Sequence, residues 1–132
     1  KAETNKGAAD FSHLLDAPAG KHGFVRVKDG HFYFEDGTRI RFLGFNMAAR
    51  SNTPNHETAE KLAARFASMG VNVIRLHAAD APIGEEPCTW SSCKEAPLLD
   101  YERGNSLEFN KAGLDRFDYF VAKLKEKGIY LH

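Results

Sequence analysis

Nothing in this sequence is apolar for long enough to cross a membrane. No run approaches the ~18 consecutive apolar residues of a spanning helix, and the first residues lack the apolar core of a secretion leader. An exported chain whose leader has been removed stays compatible with that reading. An excess of either charge is also missing: Lys and Arg total 18, Asp and Glu total 18, and six His leave the isoelectric point near 7.2. Nucleic acid and anionic membrane surfaces, which select basic proteins, are therefore excluded as expected partners. Cysteine is scarce, with only Cys88 and Cys93 and four residues between them. A zinc site needs more ligands than this pair, and His77 stands at no recognised metal spacing, so neither a metal nor a cofactor is expected. A local disulfide in an exported protein fits the pair better than two free thiols, which points to a secreted or periplasmic location.

What is present is a change of period along the chain. Residues 1–21 are rich in Ala, Lys, Asp and Gly, with one apolar patch at Phe11, Leu14 and Leu15, and predict a mobile extension with at most one helical turn. From Phe24 the runs FVRV, HFYF and RIRFLGF are rich in β-branched and aromatic residues. They are separated by Asp29-Gly30 and Asp36-Gly37, dipeptides that tolerate the positive φ of tight hairpin turns. This predicts a meander of short strands, a hairpin cap over 24–42, whose third strand continues into a more apolar run ending at Asn46.

The period then shifts to 3.6. Ala59, Leu62, Ala63, Phe66 and Met69 fall on one helical face, Thr53 or Asn55 can cap its start, Pro54 suits the first turn, and Gly70 supplies the stop. VNVIRLH follows with Val71, Val73, Ile74 and Leu76 apolar, as expected of a parallel strand covered on both faces. Strand, helix and strand make a βαβ unit. Residues 78–109 carry three prolines and both cysteines without a period, a length of irregular chain that is uncommon unless functional or disordered. Asn110 then caps a second helix whose buried stripe is expected at Leu114, Phe117, Val121 and Leu124, with Phe120 beside it. Gly128 ends it, and Ile129 to His132 begin another strand. The expected class is α/β, part of a larger closed or doubly wound sheet.

Three stretches together resemble the start of the catalytic domain of glycoside hydrolase family 5 and its relatives in the same barrel clan. They are DGTRIRFLGFNM, MGVNVIRLH and LDRFDYFVAKLKEKGIYL, in matching order and spacing over roughly residues 23–132. The resemblance implies a partial TIM barrel, its first two and a half β/α units, with 22–132 as the N-terminal portion of the catalytic domain. It implies a fragment of a retaining hydrolase of β-linked polysaccharide or oligosaccharide, inactive alone and needing the rest of the barrel or another chain to cover its sheet edges. Retention requires two carboxyl groups ~5 to 5.5 Å apart. In the resembling family these are glutamates at the ends of strands four and seven, and the adjacent Glu85 and Glu86 read instead as solvated rim charges. One alternative is a non-catalytic carbohydrate-binding or scaffold protein built on the same barrel. Another is a barrel lyase or isomerase of phosphorylated sugars.

In such barrels the chemistry lies at the C-terminal ends of the strands. Arg75 matches the family's strand-two arginine, which implies that it orients the nucleophilic glutamate and keeps it ionised. The competing reading is a structural ion pair inside the barrel. His77, two residues on, shares a face with Arg75 and either meets a sugar hydroxyl or caps a backbone carbonyl. Asn46 touches substrate or braces its loop. Trp90 offers a flat apolar platform for a pyranose, or else folds under its own loop as a small core. His132 comes too early to be the histidine that the family carries on its third strand, and is not assigned to the site.

Overall fold

The computed structural model describes residues 7, 9–80, 97–100 and 106–132. Trp90, Cys88, Cys93, Glu85 and Glu86 lie outside the described residues, and with them the expected disulfide and the sugar platform. Among the described residues no helix is long and apolar enough to cross a membrane.

Among the described residues the chain builds two three-stranded sheets and two α-helices. β1 (Val25–Lys28), β2 (His31–Phe34) and β3 (Arg39–Ile40) pair antiparallel in that order. The first turn places Asp29 at φ +49° and Gly30 at φ +73°, the two positive values a two-residue hairpin of this hand requires. β4 (Gly44–Ala48), β5 (Val73–His77) and β6 (Tyr130–Leu131) form the second sheet, parallel throughout. Between them run α1 (His56–Ser68) and α2 (Lys111–Glu126).

Both helices start on asparagine caps. Asn55 Oδ1 accepts the Thr58 N–H at 2.8 Å, and Asn110 Oδ1 accepts the Gly113 N–H at 3.0 Å, which decides for Asn55 over Thr53 at the first helix. Gly70 and Gly128 stand just beyond the two C-termini at φ +74° and +79°, where a left-handed residue ends the helix. The helices lie on one side of the parallel sheet, as right-handed crossovers demand. There Met47, Ala59, Ala63, Phe66, Val71, Ile74, Phe120, Leu124 and Ile129 make one buried cluster.

Two expectations are corrected. RIRFLGF is not one strand: pairing stops after Ile40 and resumes in the other sheet at Gly44. The side chain of Asn72 holds the break, donating to the Arg41 carbonyl and accepting the Leu43 N–H, both at 2.8 Å. Those two backbone groups would otherwise have lost their ladder partners as the chain changes sheets. On α2 the stripe is rotated. Phe120 and Leu124 are fully buried, whereas Leu114, Phe117 and Val121 are half-exposed. The helix packs on α1, while Val121 borders an open concavity with Ala19, Phe24 and Ile129, so the fully buried face is the one in the cluster with Ile74 and α1.

Of the stretch expected to be a mobile extension, the described residues 9–21 meet the rest of the chain at several points. Phe11 N–H donates to the Ser68 carbonyl and Ala19 N–H to the Lys125 carbonyl, both at 2.9 Å. His22 bridges this segment to the antiparallel sheet, with Nε2 on Asp16 and Nδ1 on Asp36, while its ring stacks on Phe34 at 5.5 Å. The bond to Asp36, then that to Asp16, raises the imidazole above its ordinary 6.5. Asp16 is lowered by Lys21 and then His22, and Asp36 by the Thr38 backbone foremost and less by His22.

The sign of the pH dependence follows. A raised histidine stabilises fully below 6.5 and loses that contribution as pH climbs through its folded value; the lowered aspartates contribute above 3.8 and lose it as pH falls through theirs. The bridge is therefore strongest between these limits. The unfolding midpoint of the wild-type protein relative to His22→Gln is expected to narrow above pH 7, and a difference that stays constant from pH 5 to 9 would show that His22 contributes no ionic component.

Candidate functional site

The parallel register puts three polar side chains in one row. In β4 the residues alternate, Phe45 and Met47 toward the helices and Gly44, Asn46 and Ala48 toward the other face. In β5 Ile74 and Leu76 face the helices while Val73, Arg75 and His77 face away. Asn46 pairs with Arg75 and Ala48 with His77. On the far side, His132 donates its N–H to the Ile74 carbonyl at 3.0 Å and accepts from Leu76 N–H at 3.1 Å. These two bonds bracket Arg75, so His132 lies opposite it. Gly44 is required at the base of this face, because a Cβ there would run into the Val73 carbonyl.

The face is concave. A cavity of about 510 Å³ is lined by Asn46, Arg75 and His132 at the strand ends and by Val25, Phe32, Phe42 and Tyr130 at the floor. The floor is an aromatic chain: Phe32 meets Phe42 at 5.5 Å, Phe42 meets Tyr130 at 5.8 Å, and Tyr130 meets Phe34 at 5.5 Å. The Tyr130 hydroxyl accepts the Gly20 N–H at 3.1 Å, which offsets its desolvation. Val25 and Phe32 of the antiparallel sheet thus line the cavity together with Phe42 and Tyr130, beside the polar Asn46, Arg75 and His132.

Over its length the chain has the fold of a known group of hydrolases. It superimposes on a family 5 glycoside hydrolase from Bacteroides vulgatus with a TM-score of 0.58 at 15% identity, over 89% of this chain and 25% of that one. A second glycoside hydrolase structure gives 0.56 at 18% identity, covering 89% and 26%. The chain spans about a quarter of the length of these solved structures. No protein-family model and no curated protein matches the sequence.

In parallel α/β sheets ligands gather outside the carboxyl ends of the strands, here the C-terminal ends of β4, β5 and β6. Arg75 is exposed there and takes part in none of the ion pairs among the described residues. No carboxylate among the described residues lines its cavity. The structural ion pair considered from the sequence is thus not formed within this sheet. Asn46 stands beside Arg75. His77 sits two residues above on the same face, and its carbonyl is held by Asn52 Nδ2 at 2.9 Å.

Asn52 was not singled out in the sequence, and His132 was weighed there and left out of the site. Asn52 is fully buried and ties the turn after β4 to the end of β5, while Ser51 Oγ accepts the Ala48 N–H at 3.0 Å and donates to the Ala48 carbonyl at 2.7 Å. Ala49 and Ala78, the residues immediately after the paired Ala48 and His77, both adopt left-handed backbone at φ +48° and +50°. Alanine there stores strain that surrounding bonds must hold, a common mark of a functional rim. The only sequence signal for Asn52 was its place in a polar cluster after a strand. For His132 it was the spacing from Tyr130, which sets both on one face.

Proposed function

We propose that this chain forms the first two and a half β/α units of a (β/α)₈ barrel and belongs to a retaining glycoside hydrolase acting on β-linked polysaccharide or oligosaccharide. The observation that carries the reading is Arg75, an unpaired guanidinium at the C-terminal ends of parallel strands, in a cavity without an acid among the described residues. Its role is to orient the nucleophilic carboxylate and hold it ionised, with Asn46 and His77 as substrate contacts beside it. Trp90 is proposed as a platform for a sugar ring and Cys88–Cys93 as the disulfide that steadies its loop.

Two further features support the reading. The antiparallel sheet sits where a plug for the barrel bottom belongs. A second concavity of about 600 Å³, lined by Phe24, Val121, Ile129 and Leu131, runs along the free edge of β6 and presents an apolar surface for the next unit to cover. Both catalytic carboxylates are proposed to come from segments beyond these 132 residues, so the chain alone is inactive.

The test is hydrolysis of β-linked glucans and mannans, followed by ¹H NMR of the first product. A polypeptide joining this chain to the remaining strands is expected to release sugar with the anomeric configuration of the substrate, and the 132 residues alone to release none. Inversion, or no hydrolysis by the joined polypeptide, would remove the retaining-hydrolase reading.

A further inference from the structure

We propose that Asn46, Arg75 and His132 act together as a carboxylate-binding row, in which the His132 ring is the second donor beside the Arg75 guanidinium. The three residues stand at one level on three adjacent parallel strands and line the same cavity. Neighbouring strands lie about 4.8 Å apart, so the row spans about 10 Å, enough for one carboxylate held between side chains from both sides. Each member donates: the guanidinium through its planar fork, the imidazole through a ring N–H, and Asn46 through its amide.

The walls favour such a ligand. From the antiparallel sheet and the segment leading out of it, only Val25, Phe32 and Phe42 reach the cavity, and none is charged. The titratable groups facing His132 are Arg75 opposite, Tyr130 two residues below on its own strand, and His77 two residues above Arg75. An acid is missing among the described lining residues, and apolar walls strengthen any ion pair formed between them. A carboxylate entering the row meets the Arg75 guanidinium, the His132 ring and the Asn46 amide, with no competing acid among the described lining residues. It comes either from an acidic side chain of the protein or from an acidic ligand such as a uronic acid, and the row binds it whether or not the barrel hydrolyses glycans.

The test is an NMR titration of the His132 imidazole in the purified protein, with acetate as the probe against chloride at equal ionic strength. If the row takes an external carboxylate, acetate raises the His132 midpoint by about half a unit or more, and Arg75→Met abolishes the rise. If the protein fills the row itself, the midpoint stands above the ordinary value of about 6.5 without acetate. It then falls back when one acidic side chain is replaced by its amide. A midpoint unmoved by acetate and by every amide replacement overturns the proposal, as does an acetate response that Arg75→Met leaves intact. Should Arg75→Met not fold, Arg75→Lys serves: charge without the fork is expected to cut the response about twofold or more. Turnover lost in an Arg75 variant of the hydrolase, beside an acetate-blind His132, would keep the hydrolase reading and remove this one; the opposite pattern would do the reverse.

Discussion

If Arg75 has the role proposed above, replacing it with alanine is expected to lower the turnover of the proposed barrel hydrolase by a factor of about 10² or more, some 2.7 kcal/mol of transition-state stabilisation at about 1.4 kcal/mol per tenfold. The guanidinium lies in an open concavity with no carboxylate partner among the described residues. Nothing in this part of the fold is therefore left unsatisfied by its removal. What is lost is the charge that keeps the incoming nucleophile ionised and the fork that fixes its angle of attack. The effect should fall on kcat, with KM changing less, because substrate in its ground state is held by other groups. Arg75→Lys should recover little, since a point charge does not reproduce planar bidentate geometry. A variant that melts early yet turns over normally would make Arg75 a structural residue, and kinetics on folded protein decide between the two.

The second large effect is expected in the core. Phe120→Ala should destabilise the fold by about 3 to 5 kcal/mol, read from the midpoint of urea unfolding. Phe120 is fully buried in the cluster formed with Ile74, Leu124 and Ile129, and alanine would leave a hole that the helices and sheet cannot close without moving together. The contrast is Phe24→Ala. Phe24 is 77% exposed on the rim of the second concavity and should change stability by no more than about 0.5 kcal/mol in this chain. A loss below about 1 kcal/mol for Phe120→Ala would mean that the two helices are not packed on the sheet as described. In a completed barrel the same Phe24 replacement should cost more, because the covering unit would bury the ring.

How far the sequence carried the fold differs between elements. Helix α1 was legible to the residue at its end, where Gly70 is a local signal read by backbone groups within one turn, and at its start to within the choice between Thr53 and Asn55, which the Thr58 N–H decided. The turn at Asp29-Gly30 was legible for the same reason: positive φ at two successive positions is a property of those residues. The break between β3 and β4 was not legible, because it depends on Asn72, 29 residues from Leu43, reaching across to two backbone groups. Nor was the rotation of α2. Its large apolar residues, Leu114, Phe117, Phe120, Val121 and Leu124, span about a third of the helix circumference, and which of them is buried most deeply depends on where α1 lies.

The candidate site divides in the same way. Alternation alone placed Arg75 and His77 on one face, because side chains two apart in a strand point together. The resemblance to family 5 hydrolases assigned Arg75 its role, and also led to His132 being set aside. It took the register of β6 on β5 to bring His132 opposite Arg75, and the burial of Asn52 to show what holds the end of β5. What the sequence by itself determined is the order and type of the elements, their caps and the two faces of each, all consequences of neighbours within about four residues. The tertiary structure alone decided which face meets which, where the chain changes sheets, and that Asn46, Arg75 and His132 share a row. Register between distant strands is set by the packing of helices and aromatic floor around them, and no local period encodes it.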